Sequence, residues 1–211
     1  MNNRVYITEC PRDAMQGITE WIETDRKIDY LNSLLACQFD TLDFGSFVSP
    51  KAIPQMRDTA EVLAALNPSD TKLLAIIANL RGAEEAATFE RINYLGYPFS
   101  ISETFQLRNT NATIEESLIR VEQISSVCEK NNKELVLYLS MGFGNPYGDT
   151  WSADLISSWS ERLTSLFNIS RLSLSDTIGS ATPELVKSVF TQISNQFNQI
   201  QISAHLHTLP Q

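Results

Sequence analysis

The chain has 211 residues, 43% hydrophobic and 19% charged, enough apolar side chain to bury a substantial core and too little charge for a disordered polypeptide. Its 16 basic and 25 acidic residues give a formal net charge of -9, and no basic stripe interleaves with aromatics, which argues against nucleic acid or an anionic membrane as a partner. The N-terminus has no apolar leader and no run approaches the ~18 apolar residues of a membrane span; with Cys10, Cys37 and Cys128 widely spaced and no CxxC pair, a soluble protein of the reducing cytoplasm is expected.

Along the chain, short runs rich in β-branched and aromatic residues alternate with longer runs of helical period, the pattern of a parallel sheet wrapped by helices. Strands are predicted at 5–9, 39–44, 73–78, 92–99, 135–140, 171–175 and 200–205. Between them, Asp58 with Glu61 and Thr113 with Glu116 have capping-box spacing. Thr182-Pro183-Glu184 offers a capping hydroxyl, a proline at the first helical position and an acid in the first turn. Apolar residues recur at helical steps at Ile114, Leu118, Val121 and Ile124, at Ile156, Trp159 and Leu163, and at Val186, Val189, Phe190 and Ile193. Cys37 and Cys128 fall on apolar helical faces, where small core residues are expected. No linker composition interrupts the chain, so residues 1–211 read as one domain of repeated βα units, each of roughly 30 residues.

In a barrel of such units, chemistry gathers at the C-terminal ends of the strands. Arg12 and Asp13 follow the first predicted strand, Asp43 and Ser46 lie at the second, and Asn79 follows the third. Ser102-Glu103 follow the fourth, the loop 142–147 the fifth and Asp176-Thr177 the sixth, while His205 and His207 end the seventh. Alternate residues of a strand share a face, so His205 and His207 can clamp one ion. Asp13 would complete three sides of a divalent-metal site with positions left open for substrate. Asp43 and Asp176 also fit as helix caps or as partners of a surface lysine. Ser102, Glu103 and Asn109 fit pocket lining and loop hydrogen bonding equally. The loop 142–148 lacks the spacing of a dinucleotide fingerprint and reads as a substrate-side loop.

Glu9-Cys10-Pro11-Arg12-Asp13-Ala14-Met15-Gln16, Ser46-Phe47-Val48-Ser49-Pro50-Lys51 with Pro54-Gln55-Met56, and Asn79-Leu80-Arg81-Gly82 resemble hydroxymethylglutaryl-CoA lyase. Ser102-Glu103-Thr104-Phe105, Asn109-Thr110-Asn111, Gly144-Asn145-Pro146-Tyr147, Ser175-Asp176-Thr177-Ile178-Gly179 and His205-Leu206-His207 continue the resemblance in order, over nearly the whole chain. The Arg-Asp and His-x-His elements are shared with a wider superfamily of metal-dependent aldol and Claisen barrels. The run from Ser46 to Lys51 is more specific to the lyase.

The resemblance implies an α/β fold of the TIM (β/α)8 barrel type, a divalent metal, Mg²⁺ or Mn²⁺, and cleavage of 3-hydroxy-3-methylglutaryl-CoA to acetyl-CoA and acetoacetate. It implies that Asp13, His205 and His207 bind the metal, with His205 also among the catalytic residues. Arg12 would stabilise the enolate of the departing thioester, and Asp43 and Asp176 would orient Arg12 or relay protons. Arg12, Gln16, Ser46 and Tyr138 are expected on the acyl-CoA substrate. Asp43 is one methylene shorter than the family's glutamate. The family's glycine-rich loop with a catalytic cysteine, and the asparagine ligand after it, have no counterpart before Gln211. Such a barrel spans ~250 residues, so the expectation is a barrel truncated after strand seven, marginally stable, prone to form a homodimer and weak in cleavage. The alternatives are a related metal-dependent aldolase or acyl synthase, or an inactive truncated form.

Overall fold

The computed structural model describes residues 4–167 and 169–207, and in them strands and helices alternate as the switches of period in the sequence require. In chain order they are β1 (Thr8–Glu9), α1 (Pro11–Gln16), α2 (Thr24–Ala36), β2 (Thr41–Ser46), a 3-10 turn (Pro54–Met56), α3 (Thr59–Ala65), β3 (Lys72–Ile76), α4 (Leu80–Ala87) and β4 (Ile92–Ser100). Then follow α5 (Glu103–Thr110), α6 (Ile114–Lys130), β5 (Glu134–Ser140), α7 (Ala153–Phe167), β6 (Arg171–Asp176), α8 (Pro183–Gln196) and β7 (Gln201–Leu206). The strands take chain order in a seven-stranded sheet, and β1 with β2, β2 with β3, β5 with β6 and β6 with β7 pair in parallel. Parallel neighbours need a long crossover, and the intervening helices supply it. Contacts divide the chain into two compact units, 1–95 with 130–133 and 96–129 with 134–211.

In the first unit, Leu42 and Phe44 of β2 and Leu73, Leu74 and Ala75 of β3 are all buried. Strands covered on both faces read as continuous apolar runs. α2 contributes Leu31 and Leu35 to the core, and α3 contributes Val62 and Leu63. β1 is shorter than the sequence pattern predicts, with Val5, Tyr6 and Ile7 exposed. The Asp40 carboxylate accepts the Ile7 amide at 2.9 Å and pairs with Arg4, so a side chain takes the place of a ladder acceptor there. β2 carries a register shift between Asp43 and Gly45. A Cβ at Gly45 would stand 2.5 Å from Thr59 Cγ2, which is why glycine occupies that position.

Lys27 of α2 is fully buried. Its ammonium donates to Asp58 Oδ1 at 2.8 Å and to the Gln55 carbonyl at 2.6 Å, and lies 3.7 Å from the Trp21 ring centroid. Asp58 stands at the N-terminus of α3 but makes no side-chain cap. The capping box expected at Asp58 and Glu61 therefore does not form, because a buried ammonium without its carboxylate costs more than an uncapped helix end. Cys37, expected in the core, is exposed at the C-terminus of α2.

In the second unit the capping box at Thr113 is complete. The Thr113 hydroxyl accepts the Glu116 amide at 3.1 Å, and the Glu116 carboxylate accepts the Thr113 amide at 2.8 Å. The Thr113 amide first, and then its hydroxyl, donate to the Glu116 carboxylate and hold it below the usual range. Thr182 caps α8 by accepting from Leu185 N. Leu118, Val121, Ile124 and Cys128 of α6, Ile156 and Leu163 of α7 and Val189 and Ile193 of α8 are buried, at the three- and four-residue steps of an amphipathic face. Phe99 of β4 packs on Trp159 of α7 with ring centroids 5.3 Å apart.

Replacing Asp58 with Ala should lower the unfolding free energy by about 3–5 kcal/mol, since it leaves the Lys27 ammonium buried without its counter-charge. Urea denaturation measures this, and the double change Lys27→Met with Asp58→Ala should recover much of the loss. A single-mutant loss under about 1 kcal/mol, the range of an exposed pair, would show that Lys27 is not held as described.

Candidate functional site

The first unit places Arg12, Asp13 and Gln16 on α1, which starts at Pro11 directly after β1. Proline suits that position because its missing N–H would have no intrahelical partner there. The short helix turns Arg12 inward, leaving it 6% exposed beside Asp43 of β2, which is fully buried. Arg12 Nε donates to both Asp43 oxygens, at 3.2 and 3.1 Å, and Nη2 donates to Asp43 Oδ2. Arg12 Nη1 donates to Asp13 Oδ1 at 2.8 Å, and Gln16 Nε2 donates to the same oxygen at 2.8 Å. A two-nitrogen grip on a carboxylate fixes the plane of the guanidinium as well as its position. Of the readings the sequence left open for Asp43, the structure has the ion pair with Arg12, and the shorter side chain still makes it.

Cys10 precedes this helix. Burial first, and then the Asp43 carboxylate, push its thiol up to about 12.

Ser46, expected on substrate, ends β2 and is buried. Its Oγ accepts the Val48 amide at 3.2 Å, and its own amide donates to Thr59 Oγ1. With Phe47, Val48, Ser49, Arg57 and Arg81 it lines a cavity of about 120 Å³. The run from Ser46, the one more specific to the resemblance, thus meets the stretch around Asn79 at this cavity. A Cβ at Gly82 would stand 2.5 Å from the Phe47 carbonyl oxygen, so the close approach of α4 to the end of β2 requires glycine.

The second unit holds the histidines. His205 lies on β7 opposite Ser175 of β6, and His207 follows two residues later on the same face. Their Nε2 atoms are 3.2 Å apart. His207 Nδ1 lies 3.0 Å from the Thr177 carbonyl oxygen. A carbonyl only accepts, so Nδ1 is a protonated nitrogen, and in the neutral ring Nε2 would then carry the lone pair. Tyr138 of β5 meets the His205 ring edge-on, with centroids 5.5 Å apart.

Asp176 ends β6 and is buried. Its Oδ1 accepts the Ser180 amide at 2.9 Å and its Oδ2 the Ala181 amide at 3.0 Å. It therefore closes its own loop, a role of the capping kind. Ser102 and Glu103 also serve local bonding: Ser102 caps α5 through Phe105 N, and Glu103 accepts the Ile114 amide. Two further polar residues make contacts that the sequence does not reveal. Asp149 accepts from the Ser102 hydroxyl and from the amide and hydroxyl of Thr104. Those bonds, Ser102 first, hold its carboxyl below the usual range and tie the loop after β5 to the start of α5. Thr177 is the other: its Oγ1 accepts the Met141 amide at 2.9 Å. Both belong to polar loops whose composition reveals neither partner.

Comparison with known proteins follows the same lines. A model of the HMGL-like family matches residues 4–208. The chain is 35% identical to the hydroxymethylglutaryl-CoA lyase YngG of Bacillus subtilis over 97% of its length and 68% of the relative's. It is 30% identical to the cytoplasmic 3-hydroxy-3-methylglutaryl-CoA lyase of Rattus norvegicus, over 93% of its length and 57% of that protein. Among solved structures, the Bacillus subtilis enzyme superposes with a TM-score of 0.89 over 97% of this chain and 68% of its own, at 35% identity. An Acinetobacter baumannii enzyme in complex with coenzyme A and 3-methylmalate gives 0.87 at 31% identity, covering 96% of this chain and 66% of that one. The chain thus spans between about half and two thirds of the length of these relatives and matches them along nearly all of its own, so it belongs to the HMGL-like family.

Proposed function

We propose that the chain carries the carbon–carbon bond-cleaving site of a hydroxymethylglutaryl-CoA lyase, acting on 3-hydroxy-3-methylglutaryl-CoA to give acetyl-CoA and acetoacetate. The observation that carries this reading is the buried Arg12 held by Asp43 and Asp13, within a chain 35% identical to such a lyase. The same match, with the run from Ser46 to Lys51, favours the lyase over a related aldolase or acyl synthase.

The chemistry asks for two things. The proton of the tertiary hydroxyl must leave, and the electron pair of the breaking carbon–carbon bond must pass into the thioester as an enolate, which is then protonated to acetyl-CoA. Arg12 answers the second demand. A cation already fixed in a water-poor setting costs little reorganisation as negative charge develops on the thioester oxygen. Asp43 keeps the guanidinium oriented and Asp13 bridges Arg12 to Gln16, so a carboxylate serves both the cation and the proposed ion.

Asp13, His205 and His207 would hold a divalent metal, Mg²⁺ or Mn²⁺, a donor set of one carboxylate and two imidazoles. Bound there, the ion would acidify a coordinated hydroxyl and bind the substrate carboxylate. The His207 tautomer fits that role. Tyr138 would border the acyl group next to His205. Asp176 is assigned to holding its loop. Cys10 has no nucleophilic part, because its raised pKa keeps it as a thiol. The cytoplasm is the location proposed, which the match to a cytoplasmic relative supports. Among the described residues no helix is long and apolar enough to cross a membrane.

Arg12→Gln in the native protein should lower kcat for acetoacetate release by about 10²–10³-fold while the Kd for Mn²⁺ stays unchanged; equal turnover at saturating metal would remove Arg12 from the enolate. His207→Ala should weaken Mn²⁺ binding, followed by electron paramagnetic resonance, by at least ten-fold, and undiminished binding would exclude it as a ligand. At pH 8 a disulfide reagent should modify the exposed Cys37 within minutes and leave Cys10 unmodified. Since the thiolate reacts and desolvation pushes the half-buried Cys10 thiol up to about 12, rapid loss of a second thiol traced to Cys10 by mass spectrometry would contradict that shift.

A further inference from the structure

Two bonds in the second unit meet at one residue. The Thr177 carbonyl accepts from His207 Nδ1 at 3.0 Å, while the Thr177 hydroxyl oxygen accepts the Met141 amide at 2.9 Å. Met141 stands directly after β5 with a positive φ of 61° and is buried. Its conformation is one that non-glycine residues adopt only under constraint, and the bond to Thr177 is part of that constraint. On the other side, the Asp176 carboxylate gathers the Ser180 and Ala181 amides. Gly179, with φ 66°, turns the loop under His207, where an added Cβ would stand 3.3 Å from the His207 carbonyl oxygen. Thr177 is therefore gripped at its hydroxyl by the end of β5 and flanked by a loop closed on itself, which leaves its carbonyl little freedom.

We propose that Thr177 is a positioning residue: its carbonyl selects the Nδ1–H tautomer of His207, and its hydroxyl, anchored on Met141, holds that carbonyl in place. The consequence is electronic as well as geometric. With the proton kept on Nδ1, Nε2 presents its lone pair beside His205 Nε2 at 3.2 Å, and the carbonyl raises the basicity of the ring. Asp176 then acts on His207 through the loop and Thr177, without touching a reacting atom. The inference deepens the metal reading proposed above and rests on it only for the ion; the tautomer is a property of the ion-free protein.

The test uses ¹⁵N-histidine-labelled protein without added metal, read by long-range ¹H–¹⁵N correlation, and Mn²⁺ titration by electron paramagnetic resonance. The unsubstituted chain should show His207 as a single Nδ1–H tautomer. Thr177→Val, which keeps shape and loses the anchoring oxygen, should give a mixture of tautomers and a Kd for Mn²⁺ raised about ten-fold, whereas Thr177→Ser should stay within about two-fold of the parent. His207 found as the Nε2–H tautomer in the unsubstituted chain overturns the proposal without recourse to any variant, even if Thr177→Val fails to fold. Parental behaviour of Thr177→Val, or a Thr177→Ser chain as impaired as Thr177→Val, overturns the role of the hydroxyl. A parent chain with the Nδ1–H tautomer that binds no Mn²⁺ upholds the positioning and overturns the metal reading instead.

Discussion

A guanidinium 6% exposed to solvent keeps its charge only if carboxylates are brought in with it, and in this chain that requirement organises the start of the fold. Asp43 must lie inside β2 for Arg12 to enter, so between the buried Leu42 and Phe44 the strand carries one acid where a parallel strand would read Val, Leu or Ile. The helix after β1 must also be short and start at once, since Arg12 is its second residue. Proline at its first position meets that demand. Replacing Asp43 with an apolar residue would relieve the strand of its acid but strand the cation. The pair therefore adds little net stability, in keeping with the chemical role proposed for Arg12.

The second unit solves a different problem, holding two imidazoles still, and it does so with main-chain groups. A carbonyl can only accept a hydrogen bond, so setting one against His207 Nδ1 fixes the proton without introducing another charge. Ionic orientation would add a carboxylate beside a prospective cation site, whereas a carbonyl leaves the charge of the ligand set unchanged. The loop around Thr177 is accordingly fastened by amide and hydroxyl bonds, from Met141, Ser180 and Ala181.

What the sequence made legible followed the range of the interactions involved. The alternation of strands and helices was readable because it rests on local period, and the capping box at Thr113 because both partners lie three residues apart. The His-x-His pair was readable because alternate strand positions share a face. The box at Asp58 was misread because its carboxylate answers Lys27, 31 residues away, and nothing local reveals that competitor. The shortness of β1 likewise follows from Asp40, 33 residues beyond Ile7. Cys37 looked like a core residue by helical phase, yet it falls at the helix terminus, where the phase no longer determines burial. Thr177 stood inside a quoted motif without a role, since a backbone carbonyl has no residue signature.

Four aspartates make the same point from the side of chemistry. Asp43, Asp58, Asp149 and Asp176 each lie near an expected element boundary, and each could be read as a cap. In the fold, Asp43 meets a guanidinium and Asp58 an ammonium. Asp149 meets two hydroxyls and an amide across 45 residues, while Asp176 meets the amides of its own loop. A carboxylate accepts from whichever donors the fold leaves without water, with charged donors worth roughly twice a neutral one. The acid thus records what lies around it, and a chemical role follows only where the donor it holds is itself fixed toward open space for a substrate. Arg12 has the fixed geometry that such a role needs; the ammonium of Lys27, enclosed by Asp58, Gln55 and Trp21, has a structural one.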